Sequence, residues 1–166
     1  MRHRERAGAS LAGIAFLAAG LTGCLLSSEP VGRLDVSLSL SATEVNEDSG
    51  VVIRVTAVNH GPYPLHLETT GGCVVAFRLV GPDGGPFTPS PRYGCAAILL
   101  PVDIARGDSV VGVFLVLPRP YFASGELIRW QPGNYQAVGQ LLDRHAGMIE
   151  ETAPTEFRLI CRDLVC

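Results

Sequence analysis

The chain has 166 residues, 47% of them hydrophobic and 17% charged, which is ample apolar material for one packed domain. Its 19 Gly and 12 Pro suit a turn-rich fold better than a helical bundle. The net charge of −3, with every cation an Arg, argues against nucleic acid as a partner, because that partner requires a basic face.

The N-terminus carries a basic patch, Arg2, Arg4 and Arg6, and then no charge from Ala7 to Ser28, with the densest apolar part at Leu11 to Leu21. A basic flank, a brief apolar centre and small residues form the layout of a secretory signal peptide. A spanning helix is the alternative, since 22 uncharged residues could just cross a bilayer, but Gly8, Ser10, Gly13, Gly20, Thr22 and Gly23 dilute the stretch and leave a strongly apolar core of only Leu11 to Leu21. Leu21-Thr22-Gly23-Cys24 resembles the bacterial lipobox. That resemblance implies acylation of the Cys24 thiol with diacylglycerol and cleavage before Cys24; a thiolate is the nucleophile such a transfer needs. The expected organisation is a lipoprotein signal peptide at 1–23, a lipidated tether at 24–32 and one domain at 33–166. The expected location is extracytoplasmic in a bacterial envelope, with the lipid bilayer as the partner of acylated Cys24.

Beyond Pro30 the pattern has period two. Leu34, Val36, Leu38 and Leu40 alternate with Asp35, Ser37 and Ser39, which predicts a half-buried strand. A polar turn, EVNEDSG, leads to GVVIRVTAV, whose β-branched residues favour a pleated surface. Asn59 to Pro62 closes that strand, and YPLHLE with its Pro64 fits an edge or a switch between sheets. CVVAFRLV is a further strand, ended by the glycine-rich turn at 81–85. The 86–94 loop, a strand at Cys95 to Leu100, and DSVVGVFLVL at 108–117 follow; the last is apolar on both faces and therefore expected to be central. Residues 118–133 read as the longest irregular connection, NYQAVGQLL and TEFRLIC as the final strands, with one turn of helix allowed at Arg144 to Glu151. The sum is an all-β, immunoglobulin-like antiparallel sandwich of about seven to eight strands. Tyr135, after a Pro-Gly turn and near the start of a strand, fits the tyrosine corner of such domains.

Outside the cytoplasm disulfides persist. With Cys24 taken by lipid, Cys73, Cys95, Cys161 and Cys166 remain, an even number that predicts two bridges. Zinc is disfavoured because no Cys-x-x-Cys pair occurs. The expected pairing is Cys73–Cys95 with Cys161–Cys166; the rival is an inter-sheet Cys73–Cys161 bridge.

VIRVTAVNHGPYPLHLETTGG, VVAFRLVGPDGG, DIARGDSVVGVFLV and WQPGNYQAVGQL together resemble the BsuPI-type proteinase-inhibitor domain and related immunoglobulin-like envelope domains, over Leu34 to Leu142. The resemblance implies the sandwich fold and, as an expected activity, inhibition of an extracytoplasmic protease. Phe87, Arg92 and Tyr93 in the Pro-stiffened 86–94 loop are the binding candidates, since Tyr and Arg are typical of hot spots and stiffness lowers the entropy lost on docking. Tyr121, Phe122 and Trp130 mark a second surface, or cap the sandwich.

No HExxH, GxSxG or phosphate-loop sequence occurs, and neither catalytic residues, a metal nor a cofactor is expected. His60 and His66, with Glu68 nearest, read as solvated loop histidines, and Asp143, His145, Glu150 and Glu151 as a solvated hairpin tip. The leading expectation is a non-catalytic, lipid-anchored envelope protein that binds another protein. Protease inhibition through the 86–94 loop is the alternative, and an enzyme or metal carrier using His60 and His66 ranks third.

Overall fold

A computed structural model describes residues 34–69, 73–89, 101–162 and 166. The signal peptide, the tether, the strand expected at Cys95 to Leu100, and Arg92, Tyr93 and Cys95 lie outside the described residues. Within them the chain forms β1 (Leu34–Leu40), β2 (Glu44–Asn46), β3 (Val51–Asn59), β4 (Leu65–Glu68), β5 (Val75–Val80), β6 (Pro86–Phe87) and β7 (Pro101–Ile104). It continues with β8 (Ser109–Val116), β9 (Tyr121–Ala123), β10 (Glu126–Ile128), β11 (Gly133–Asp143), β12 (Gly147–Glu151) and β13 (Thr155–Ile160).

Two sheets face each other. One has the order β1-β3-β8; the other runs β2-β13-β11-β5-β6, with β12 hanging on β11. Among the described residues all pairings are antiparallel except β2 on β13, which is parallel. A first strand that serves one sheet and then crosses, through β2, to run parallel with the last strand is an immunoglobulin-like arrangement. The polar turn after β2 is built by Asn46, whose Oδ1 accepts from the Asp48 and Ser49 amides. Gly50 completes it at φ +64, where a Cβ would lie 2.6 Å from the Val116 carbonyl oxygen.

The core lies between the sheets. Ile53, Val55 and Ala57 of β3, Phe114 and Val116 of β8, Leu79 of β5, Tyr135, Ala137 and Leu141 of β11, and Phe157 and Leu159 of β13 are all buried. Each such aliphatic or aromatic side chain contributes about 1.5–3 kcal/mol relative to exposure. The sheets approach closely at Gly112, where a Cβ would sit 2.7 Å from Val75 Cγ2 and 2.8 Å from the Phe114 ring. Glycine is there for space.

The long ladder of β3 with β8 does not stop at Asn59. After a break at 60–64 on one side and 105–108 on the other, the same two chain segments pair again as β4 with β7. Asn59 is the joint. Its buried Nδ2 donates to the carbonyls of Tyr63 (2.8 Å) and Ile104 (2.9 Å), and its Oδ1 accepts from the Gly61 amide (2.9 Å). Its main chain is held as well, by the Asp108 carbonyl and the Gly107 amide. Beyond the joint, Glu68 O accepts from the Arg144 amide and Val74 O from the Leu142 amide, so the segment has changed sheets. YPLHLE is thus a switch strand.

Three expectations are corrected. The connection at 118–133 is not irregular throughout: β9 and β10 form a two-residue hairpin in which Ser124 and Gly125 both have positive φ, as a type I′ turn requires. Arg144 to Glu151 is no helical turn but the β11–β12 hairpin, whose turn ends on Gly147 at φ +77. Finally β8 is not central. Among the described residues it lies at the edge of its sheet, and Val111, Val113 and Leu115 are 43%, 57% and 57% exposed. With these short hairpins and β2, β6 and β7 added, the described residues hold thirteen strands rather than seven or eight.

Candidate functional site

The two loops singled out separately in the sequence meet in space. Phe87 on β6 lies 4.4 Å from the Trp130 ring and 5.4 Å from Tyr135, and Tyr135 stacks on Phe157 at 5.5 Å. Tyr121 donates its hydroxyl to the Thr88 carbonyl and so ties the β9–β10 hairpin to the same loop. Phe87, put forward as a binding residue, is therefore half-buried packing; its ring is turned inward, where aromatic area is removed from water. Trp130 is fully buried too, while Phe122 is 73% exposed beside its cross-strand neighbour Leu127.

Cys161 and Cys166 are joined, Cα to Cα 5.3 Å, and the Cys166 amide donates to the Trp130 carbonyl. The disulfide and this bond thus tie Cys166 to the main chain at Trp130. Cys73 is also disulfide-bonded, to a cysteine outside the described residues, so a Cys73–Cys161 bridge does not occur.

Tyr135 makes the corner. Its hydroxyl donates to the Gln131 carbonyl (3.0 Å) and accepts from the Gln131 amide (3.1 Å). Burial pushes its pKa above the ordinary value near 10; the Gln131 hydrogen bond works the other way, and the Asp83 charge adds to the rise. An acid harder to ionise when folded contributes stability that is intact below pH 10 and is lost as pH rises above it, because the unfolded chain ionises first. Alkaline titration followed by tyrosinate absorbance and circular dichroism should show that loss in the wild type. Tyr135→Phe should blunt it while costing about 1 kcal/mol at neutral pH through the missing hydrogen bonds. An unchanged alkaline limb would refute the assignment.

The titratable residues make two exposed pairs. His66 Nδ1 meets its cross-strand neighbour Asp103 at 2.6 Å, and His145 Nε2 reaches from the β11–β12 hairpin to Glu68 Oε2 at 2.9 Å. Glu68 thus serves His145 rather than His60 or His66. His60 is exposed, and Asp143, Glu150 and Glu151 flank a hairpin tip, with only Asp143 half-buried. Pairs this exposed are worth at most about 1 kcal/mol. Among the described residues no three His, Cys, Asp or Glu side chains group as metal ligands would. A groove of about 410 Å³ runs along the β5–β6 edge, lined by Phe77, Leu79, Gly84, Pro86, Phe87 and Pro89, with Arg78 as its charge.

The surface feature that the sequence reading missed is the outward row of β8. The signal was present in DSVVGVFLVL, but apolar residues on both faces read as a central strand, and among the described residues no strand pairs with that side of β8.

No protein-family model and no curated protein matches the chain. Solved structures that resemble it include a β-glucosidase from Erythrobacter marinus (14% identity, TM-score 0.47) and one from Listeria innocua in complex with isofagomine (13%, 0.46). Each match covers 78% of this chain and 16% of the glucosidase. The alkylpurine DNA glycosylase AlkC from Pseudomonas fluorescens is similar at 15% identity and TM-score 0.43, over 77% of this chain and 30% of that one. The chain therefore spans less than a third of the length of each.

Proposed function

We propose that the chain is a non-catalytic lipoprotein of the bacterial cell envelope, held to a membrane by acylated Cys24, whose immunoglobulin-like domain binds another protein or helps assemble a surface complex. The observation that carries this reading is Leu21-Thr22-Gly23-Cys24 behind an Arg-flanked apolar segment, followed after Leu25 and Leu26 by the polar Ser27-Ser28-Glu29 of a tether. The sandwich supports it: a rigid frame that presents loops and sheet edges is the usual bearer of binding. Phe87 adds no support for protease inhibition, because its ring is engaged with Trp130 and Tyr135.

Anchoring contributes about 0.8 kcal/mol per buried methylene, so its removal should be close to all-or-none. Cys24→Ser should abolish incorporation of labelled lipid and leave the protein unprocessed or released from the membrane fraction. A wild-type protein that begins at Met1 and carries no lipid would instead favour the spanning helix. Crosslinking in intact cells then identifies the envelope neighbours.

A further inference from the structure

The chain enters the described fold at Leu34, which pairs with Asn59 at one end of the sandwich. Asn59 fixes two loops there. Its Nδ2 holds the carbonyl of Tyr63, and its main chain holds the 105–108 turn through Gly107 and Asp108. Tyr63 stands between Pro62 and Pro64, is 69% exposed, and has no side-chain partner among the described residues. Arg106 in the other loop is exposed and makes no ion pair among the described residues. The carboxylates of Asp103 on β7 and Glu68 on β4 are each met by a histidine, His66 and His145. The opposite end of the sandwich, where Val51 begins β3 beside Val116, lies about 27 Å away along that strand. It leads into the β9–β10 hairpin and the Trp130 cluster.

We propose that the Asn59 end of the sandwich lies against the bilayer, with Tyr63 at headgroup level and Arg106 on lipid phosphate. The inference rests on the anchoring proposed above and adds which face of the domain meets the lipid. Reach decides the end. Ten residue steps separate Cys24 from Leu34, about 35 Å fully extended and about 18 Å as a flexible coil. To bring the opposite end to the lipid, Leu34 must stand about 27 Å above it, well beyond the coil's usual span. The chemistry fits the same end. A tyrosine with an apolar ring and a polar hydroxyl suits the boundary between headgroups and acyl chains, and the flanking prolines lower the entropy lost on docking. The Arg106 guanidinium matches a phosphate, and Asp108 in the same turn offers a carboxylate to an ammonium group. Opposite charges side by side select a zwitterionic headgroup over an anionic one. Once Cys24 is anchored the contact is intramolecular, so a few side chains suffice to hold it.

The test uses the full-length protein in phosphatidylcholine vesicles whose acyl chains carry bromine, a short-range quencher of indole emission. Tyr63→Trp should lose about half of its added emission, because an interfacial ring sits just above the acyl chains. Native Trp130, the single Trp of the chain, and Phe122→Trp on the hairpin should stay unquenched. Arg106→Glu, added to Tyr63→Trp, should reduce the quenching about twofold or more by setting a carboxylate against phosphate. Mixing in anionic phosphatidylglycerol should also reduce it, since the chain's net charge is −3. These positions are exposed, so melting temperatures should match the wild type; if Tyr63→Trp folds poorly, exposed His60→Trp in the same loop reads the same face. Quenching at Phe122→Trp equal to or above that at Tyr63→Trp overturns the proposal. Quenching that ignores Arg106→Glu, or that grows with phosphatidylglycerol, overturns the headgroup contact. Lipid on Cys24 with no quenching at Tyr63→Trp overturns this inference and leaves the anchoring standing, whereas a chain without lipid on Cys24 overturns the anchoring and the inference with it.

Discussion

Trp130→Ala is expected to be the most damaging single truncation in the described part of the chain. The indole is fully buried and lies against Phe87 and Tyr135, and the Trp130 main chain is tied to disulfide-bonded Cys166. Removing it withdraws the largest apolar surface in that end of the core and leaves a void that Phe87 cannot fill without abandoning β5. Truncations of this kind cost about 3–5 kcal/mol, a large share of the stability of a domain this size. Trp130→Phe is the informative companion. Trp130 Nε1 is buried with no hydrogen-bond partner among the described residues, so the phenyl ring loses volume but also removes an unmet donor. It should cost less than half as much as the alanine variant. Denaturant unfolding monitored by circular dichroism measures both; equal losses would mean that the nitrogen has a partner after all.

The strands that read clearly in the sequence are those in which alternation and β-branching coincide with one buried face. In β1 the half-buried and exposed residues follow the alternation of apolar and polar positions, and in β3 Ile53, Val55 and Ala57 are buried between exposed Arg54 and half-buried Thr56. Tyr135 is legible for a related reason: its corner bond spans only four residues, so the turn and the ring both lie within Gln131 to Tyr135. β8 misled because hydrophobicity reports what a residue prefers, not whether anything covers it. Its outward valines satisfy the rule for a central strand. The short hairpins were missed through their turns. Ser124-Gly125 is a weaker signal for paired positive φ than Asn-Gly, and Gly147 was read within a possible helical turn.

Side-chain partnerships were the least legible. His66 meets Asp103 across 37 residues and His145 meets Glu68 across 77, and both depend on how the switch strand is laid down. Phe87 shows the same limit. An aromatic in a Pro-rich loop suits a binding tip or a lid on the core equally well, and only the position of Trp130 decides. No local pattern encodes that direction.

Asn59→Leu is expected to unfasten the switch itself. Leucine nearly matches the volume, so the change isolates the hydrogen bonds. It strands the buried Gly61 amide and removes the donor that serves the Tyr63 and Ile104 carbonyls. Each buried polar group left unmet costs about 1–3 kcal/mol, and the total should be about 3 kcal/mol or more. Asn59→Asp makes the sharper comparison. It keeps an acceptor for Gly61 but sets a carboxylate oxygen against two carbonyl oxygens, so it should be no milder than leucine even though it is the more polar residue. His60→Ala, one position along and exposed, should change stability by less than about 0.5 kcal/mol. Native-state hydrogen exchange should locate the damage: amides of β4 and β7 lose protection first, while those in the middle of β3 keep theirs until global unfolding. Uniform loss across β3, β4 and β7 would show that the joint is no separate unit. A cost below about 1 kcal/mol for leucine would show that Asn59 merely occupies the bend, and that the backbone bonds to Asp108 and Gly107 suffice to turn the chain from one sheet to the other.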